Sequence, residues 1–152
     1  IAEMVNAIYR SWHSGYLASR TTIADWYRHV YRELNHEADA LANRAMDEMR
    51  SSAWCRPHSF LRPVRLRGWF DGGRRSASVA SCGWLITASY ESSPDAAWYT
   101  IASASVLLPA GTTTVNAELT GAALVTTALC KIARDVCNEP ALPKQAKFRK
   151  LA

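Results

Sequence analysis

The pattern of hydrophobic and polar positions predicts a helix, a strand and a second helix within the first fifty residues. Residues 1–12 have the spacing of an amphipathic helix, with apolar side chains at Ile1, Met4, Val5, Ile8 and Trp12. Residues 26–31 are aromatic and β-branched, which favours a strand. A second helix is expected after Asn35, a good N-cap residue, because Glu37 and Asp39 then lie in a first turn. Its apolar stripe comprises Ala38, Leu41, Ala42, Ala45, Met46 and Met49.

The middle of the chain has the period of β-strands. A strand is expected over residues 64–71, where Gly72 and Gly73 would end it. Residues 81–90 alternate in the way that is typical of a half-buried strand, and residues 98–107 favour a third strand. Because short connections separate these strands, we expect an antiparallel meander.

A long helix is predicted to follow, capped by Thr114 and running to about Val136. Its inner face would contain Val115, Leu119, Ala122, Leu129, Ala133 and Val136. Breaks in the period divide the chain into four parts. These are a first portion at 1–50, a linker at 51–63, a second portion at 64–138 and a basic tail at 139–152.

The composition is that of a globular protein, with 49% apolar and 20% charged residues among 152. The chain has no apolar run near the roughly 20 residues that span a bilayer. Since position 1 is Ile and no secretory pattern follows, we expect the chain to begin inside a longer product. Four cysteines without CxxC or zinc spacing favour reduced, buried thiols and an intracellular location, in the cytoplasm or nucleus.

The net charge of +5 leans toward polyanionic partners, and its distribution is more informative than its size. Six arginines lie between Arg56 and Arg75, with Asp71 as the one acid among them. This stretch is either a solvated basic linker or a patch that faces phosphate. The six tryptophans are expected to pack in or beside the core rather than to stack on bases.

Three acids have the setting that phosphodiester hydrolysis requires. Two divalent ions about 4 Å apart can activate water and stabilise the leaving oxygen, and Mg²⁺ prefers carboxylate ligands. Asp71 ends a predicted strand before two glycines, while Glu118 and Asp39 lie in first helical turns. Each acid alone is better explained by a turn or by a favourable helix dipole, and only the three together favour a metal site.

The segments around these acids resemble a type 1 ribonuclease H domain of the plant and retroelement style. Its first half is similar to Trp69-Phe70-Asp71-Gly72-Gly73, Ser81-Cys82-Gly83-Trp84-Leu85-Ile86 and Asn116-Ala117-Glu118-Leu119. Its last strand and helix are similar to His29-Val30-Tyr31-Arg32-Glu33-Leu34-Asn35 and Glu37-Ala38-Asp39-Ala40-Leu41-Ala42-Asn43. The resemblance implies an α/β fold with a mixed α+β sheet, in which three antiparallel strands and one parallel strand have flanking helices. Because the two parts occur in reverse order, the fold would be fragmentary or circularly permuted.

The resemblance also implies an activity, which is hydrolysis of the RNA strand of RNA/DNA hybrids with Mg²⁺, or alternatively Mn²⁺. Asp71, Glu118 and Asp39 would be the metal ligands. His29 matches a histidine that acts near the product phosphate, although a strand histidine bonded within the core is an equal alternative. The implied nucleic-acid contacts are Gly72, Gly73, Arg74, Arg75 and Asn116.

One family feature has no match in this chain. The fourth strand of the family ends in an aspartate and a serine, which supply a further carboxylate, and no segment here is similar to it. We therefore expect at most weak cleavage by this chain alone. The alternatives are a non-catalytic module that binds nucleic acid or a protein partner, and a relic fragment of a retroelement polyprotein. A neighbouring repeat or a swapped dimer could supply the missing part.

Overall fold

A four-stranded antiparallel sheet with a helix on each face makes up the part of the protein that the computed structural model describes, residues 32–56 and 63–138. The strand order is β1-β4-β3-β2. The elements are a 3-10 turn at Arg32–Leu34, α1 at His36–Glu48, β1 at Ser52–Cys55, β2 at Arg65–Ser76, β3 at Val79–Ser89, β4 at Tyr99–Leu108 and α2 at Thr114–Asn138.

The expected mixture of helices and strands is confirmed, as is the meander, since β3 pairs antiparallel with both β2 and β4. The predicted helix at 1–12 and the predicted strand at 26–31 lie outside the described residues. The expected parallel pairing involves that strand, so it too lies outside them. Every strand pair that the structure describes is antiparallel.

The central strand β3 is buried on both faces, so the expectation of a half-buried strand is wrong. Gly83 packs against α1 on one face, and Cys82 and Ile86 are fully buried on the other. The polar positions tolerate this burial because they are hydrogen bonded, as when the Ser81 hydroxyl donates to the Ala42 carbonyl at 2.5 Å. Alternating small polar residues therefore belong to a covered face here.

Strand β2 continues through Gly72 and Gly73, which the sequence pattern predicts as its end. Gly72 pairs with Cys82 and Gly73 with Ser81, and the strand ends at Ser76. Gly72 serves packing instead of a turn. A Cβ on Gly72 would lie 2.3 Å from the Glu118 backbone nitrogen, so only glycine lets α2 approach this closely.

The buried side of α2 differs from the predicted one. Val115 is 63% exposed and Leu119 is 38% exposed, whereas the buried positions are small or medium in size. Those positions are Ala117, Gly121, Ala123 and Val125. Because the start of the helix touches the backbone of β2, its contact side there needs small residues, and Val115 and Leu119 turn outward. Farther along, the predicted Leu129 does pack against the core. The helix cap also differs, since the Thr113 hydroxyl accepts the Asn116 amide at 3.2 Å.

The segment expected to be a linker contains strand β1. Its four residues pair with β4, and the hydroxyls of Ser52 and Ser105 hydrogen bond at 2.8 Å. The edge of β4 offers backbone groups that need partners, so pairing forms without any hydrophobic period in β1. Helix α1 also packs on β3 and β2. Over the described residues, α1 of the portion predicted at 1–50 thus packs on a sheet that the portion at 64–138 forms together with β1.

The main core lies between α2 and the sheet, where Ile86, Ala102 and Val125 are buried with Phe70 and Trp84 packed against them. The expectation of buried thiols is confirmed for Cys82, and burial raises the pKa of that thiol to about 11. It is wrong for Cys55, which is exposed on the short edge strand β1. Among the described helices, none is both long and apolar enough to cross a membrane.

Candidate functional site

Asp71 lies in β2 with its side chain on the same face of the sheet as α1. Successive side chains alternate along a strand, and its neighbour Gly72 faces α2. Gly73, two residues from Asp71, faces the Met46 methyl group of α1. The carboxylate is half-buried, and its Oδ1 accepts the Gly72 backbone N–H at 2.8 Å.

Asp39 is carried along the same edge of the sheet by α1. The helix is fixed to β2 at two points, where the Asn35 side-chain amide donates to the Phe70 carbonyl at 2.9 Å and where Met46 lies over Gly73. Asp39 is one turn after Asn35 and is half-buried. It therefore lies on the helix that runs beside the part of β2 in which Asp71 points toward α1.

Glu118 approaches from the opposite face. Its backbone nitrogen is the atom against which Gly72 packs, in the second turn of α2. The Glu118 side chain is exposed, as is Asn116 in the turn before it. The three predicted acids thus lie on three elements that meet around Gly72, with Asp39 and Asp71 on one face and Glu118 on the other.

The donor chemistry at this place suits a hard divalent cation. Asp39, Asp71 and Glu118 offer carboxylate oxygens, and Asn35 adds a buried amide oxygen, Oδ1, with no hydrogen-bond partner in the described structure. Within residues 32–56 and 63–138, however, no group of three or more His, Cys, Asp or Glu side chains is arranged to hold a metal ion. The residues fit the ion in chemical type, and the described part of the chain does not assemble a three-acid site. His29 lies outside the described residues.

Asn35 has a role that its sequence context did not suggest. It occupies the N-cap position of α1 but makes no capping bond, and its amide instead reaches Phe70, 35 residues away. Along β2, the Phe70 carbonyl and the Gly72 amide are the two groups that one residue of a parallel neighbour would bind. Here they bind the side chains of Asn35 and Asp71. Asparagine is so common as a cap that its spacing alone gave no signal of this contact.

The predicted phosphate contacts Arg74 and Arg75 are both exposed near the end of β2. The Arg75 guanidinium pairs with the Asp47 carboxylate of α1 at 2.7 Å, so it already has an anionic partner. The arginine-rich stretch is split between the two ends of β2. At the other end, the guanidinium carbons of Arg65 and Arg67 lie 5.1 Å and 3.9 Å from the centre of the Trp98 ring.

No family model, curated protein or solved structure matches this chain. The likeness to ribonuclease H therefore rests on the quoted segments alone. The activity that the likeness implies is a proposal.

Proposed function

We propose that this chain is a ribonuclease H-type endonuclease that hydrolyses the RNA strand of RNA/DNA hybrids with Mg²⁺ and has weak activity by itself. The observation that carries the proposal is the meeting of three acid-bearing elements around Gly72. Asp39 and Asp71 share one face and one edge of the sheet, while the backbone of Glu118 touches Gly72 from the other face. Elements from distant stretches of the chain, each carrying one of these acids, thereby pack against the middle of β2.

The chain's own contribution is to place and orient oxygen ligands. Asp71, Asp39 and Glu118 would hold divalent cations, which when bound would activate water and neutralise the leaving oxygen. The Gly72 N–H fixes one oxygen of Asp71, and a ligand held by hydrogen bonds costs less to order. Gly72 allows the helix that carries Glu118 to lie directly against the strand that carries Asp71.

Weak activity is expected for a chemical reason. The family's further carboxylate has no counterpart in the sequence, and the described residues form no three-acid group. An incomplete set of acids holds its cations less tightly and positions water less well. The substrate class follows from the likeness, since such enzymes read 2′-hydroxyls across a wide minor groove with little sequence preference.

The test is a cleavage assay on an RNA/DNA hybrid labelled on the RNA strand, in Mg²⁺, in Mn²⁺ and in EDTA. We expect slow cleavage that needs a divalent ion and that falls about 10- to 100-fold or more in Asp71→Asn. Asp39→Asn and Glu118→Gln should reduce it in the same direction. Asp95→Asn is the matched control, because Asp95 is an exposed acid in the loop before β4 and should leave the rate unchanged.

Two results would overturn the proposal. One is cleavage that survives Asp71→Asn, since the reaction would then come from another source. The other is the lack of any cleavage of the hybrid by the wild-type chain at high enzyme concentration in either metal. Single-stranded RNA of the same sequence is the substrate control, and it should remain intact.

A further inference from the structure

A second surface of the sheet combines tryptophan and arginine side chains. We call it the arginine–tryptophan face, and it consists of Trp54, Arg65, Arg67, Trp69 and Trp98. The strand register places its members on one side. Trp69 pairs with Leu85, Leu85 with Ser103 and Ser103 with Trp54, and paired residues point to the same face of a sheet.

Helix α1 covers the neighbouring part of this side but stops short of the arginine–tryptophan face. Its Glu37, Leu41 and Arg44 line a hollow of about 340 Å³ against the sheet residues Leu85, Thr100 and Ser103. Beyond the hollow, Trp54 is 51% exposed and Arg67 is exposed. A large apolar ring at this exposure leaves one broad surface available to a ligand.

The arginines of this face are held in place by an aromatic ring. Arg65 and Arg67 both stack on Trp98, and Arg65 also donates to the Ser93 carbonyl. Stacking orients a guanidinium and leaves its in-plane N–H groups available to an anion. The five residues of the face include no acid, and the acids around it are Glu37 in the hollow, Asp71 two residues after Trp69, and Asp95 in the loop that Arg65 contacts. Fixed cations on β2 and an exposed indole ring on β1, three strands or about 14 Å away across the sheet, suit an extended ligand that has both phosphates and flat bases.

We propose that the arginine–tryptophan face binds single-stranded nucleic acid. A base stacks on Trp54, and phosphates two or more nucleotides along the strand meet Arg67 and Arg65 across the sheet. A duplex fits this surface less well, because its bases are already stacked on one another. The binding residues differ from the proposed metal ligands, since Arg67 lies four residues before Asp71 along β2, about 13 Å away at the usual rise of a strand, although Trp69 lies between them on the same side.

Charge repulsion argues against two other occupants of the arginine–tryptophan face. The tail of the chain carries Lys144, Lys147, Arg149 and Lys150, and the arginines of the face would repel it. A second copy packed through the same patch would place Arg65 and Arg67 against their own equivalents about a two-fold axis. A polyanion is instead attracted by both arginines.

The experiment measures anisotropy of a fluorescein-labelled 15-nucleotide oligouridine with the full chain in EDTA, where no cleavage occurs. We expect Trp54→Ala to weaken binding about fivefold or more, while Trp54→Phe retains a stacking ring and most of the affinity. Arg67→Gln should weaken binding and lower the slope of log K against log salt by about 0.7. Arg134→Gln is the charge-matched control, because Arg134 is exposed on α2, which covers the opposite face of the sheet.

Four results would overturn the proposal. Trp54→Ala could bind like the wild type, or Arg134→Gln could lose as much affinity as Arg67→Gln, which would indicate overall charge alone. A labelled 15-base-pair duplex could bind as tightly as the oligouridine and be equally sensitive to Trp54→Ala. Sedimentation could show that Trp54→Ala breaks a dimer. Asp71→Asn should bind the oligouridine normally, so failure of the cleavage proposal and failure of this one can be told apart.

Discussion

Gly72 lies at the point of β2 where α2 comes closest to the sheet. A Cβ there would lie 2.3 Å from the Ala117 carbonyl carbon and from the Glu118 nitrogen, and both are backbone atoms that cannot rotate away. Gly72→Ala should therefore push the start of α2 outward and lower the free energy of unfolding by about 1–3 kcal/mol. Urea unfolding followed by circular dichroism measures the change.

Gly73 provides the matched control for this substitution. It is the next residue in the same strand, and a Cβ there would have one neighbour, the Met46 methyl carbon, at the ordinary contact distance of 3.9 Å. Gly73→Ala should change the stability by less than about 0.5 kcal/mol. Equal stabilities for the two variants would show that α2 does not pack against β2 as closely as described. The contact between Gly72 and Ala117 joins distant parts of the chain, so it could not be predicted from the local sequence. That sequence predicted a turn at the two glycines.

The helices and strands divide into those that period alone could predict and those that depend on their neighbours. The helix after Asn35, the three meander strands and the long final helix are each present where the period places them. The buried side of α2 could not be predicted in the same way, because Val115 and Leu119 are as apolar as a core needs. Where the start of α2 touches the backbone of β2, there is room only for small residues. Strand β1 has no hydrophobic period of its own, and it forms because the backbone groups along the edge of β4 need hydrogen-bond partners.

The start of α2 gives a prediction at the scale of the helix. Thr113 accepts the Asn116 amide through its hydroxyl, and its carbonyl accepts the Ala117 amide at 2.9 Å, so it is the N-cap. Thr113→Ala should cost about 1 kcal/mol of stability. Thr114→Ala changes a first-turn residue to a better helix former and should cost little or nothing. Thermal or urea unfolding of the two variants measures these changes. A larger loss of stability in Thr114→Ala than in Thr113→Ala would contradict the assignment of Thr113 as the N-cap.

The candidate site could be predicted in part at the scale of the molecule. Its acids were identified from the segments that carry them, and the structure brings Asp39 and Asp71 to the same edge of the sheet. The contact between Asn35 and Phe70 could not be predicted, because it depends on how α1 crosses β2. The arginine–tryptophan face could not be predicted from the sequence either. Its residues come from β1, β2 and the loop before β4, and only the strand register puts them on one side.

A last prediction asks whether α1 and the sheet behave as one folding unit. Gly83 is the closest contact between them, since a Cβ there would lie 2.4 Å from the Ala38 oxygen and from the Ala42 nitrogen. Without α1, the side of β3 that includes Ser81 and Leu85 would lose the helix that covers it.

Gly83→Ala should therefore lower the protection of amides in α1 and in β3 by the same free energy, about 1–3 kcal/mol, in native-state hydrogen exchange. Gly73→Ala, which meets almost nothing, should leave both patterns unchanged. Two separate domains would respond differently, because α1 alone would then lose protection while β3 kept that of the wild type. Equal losses would show that α1 and β3 open as one cooperative unit, as a cation site shared between α1 and the sheet would need.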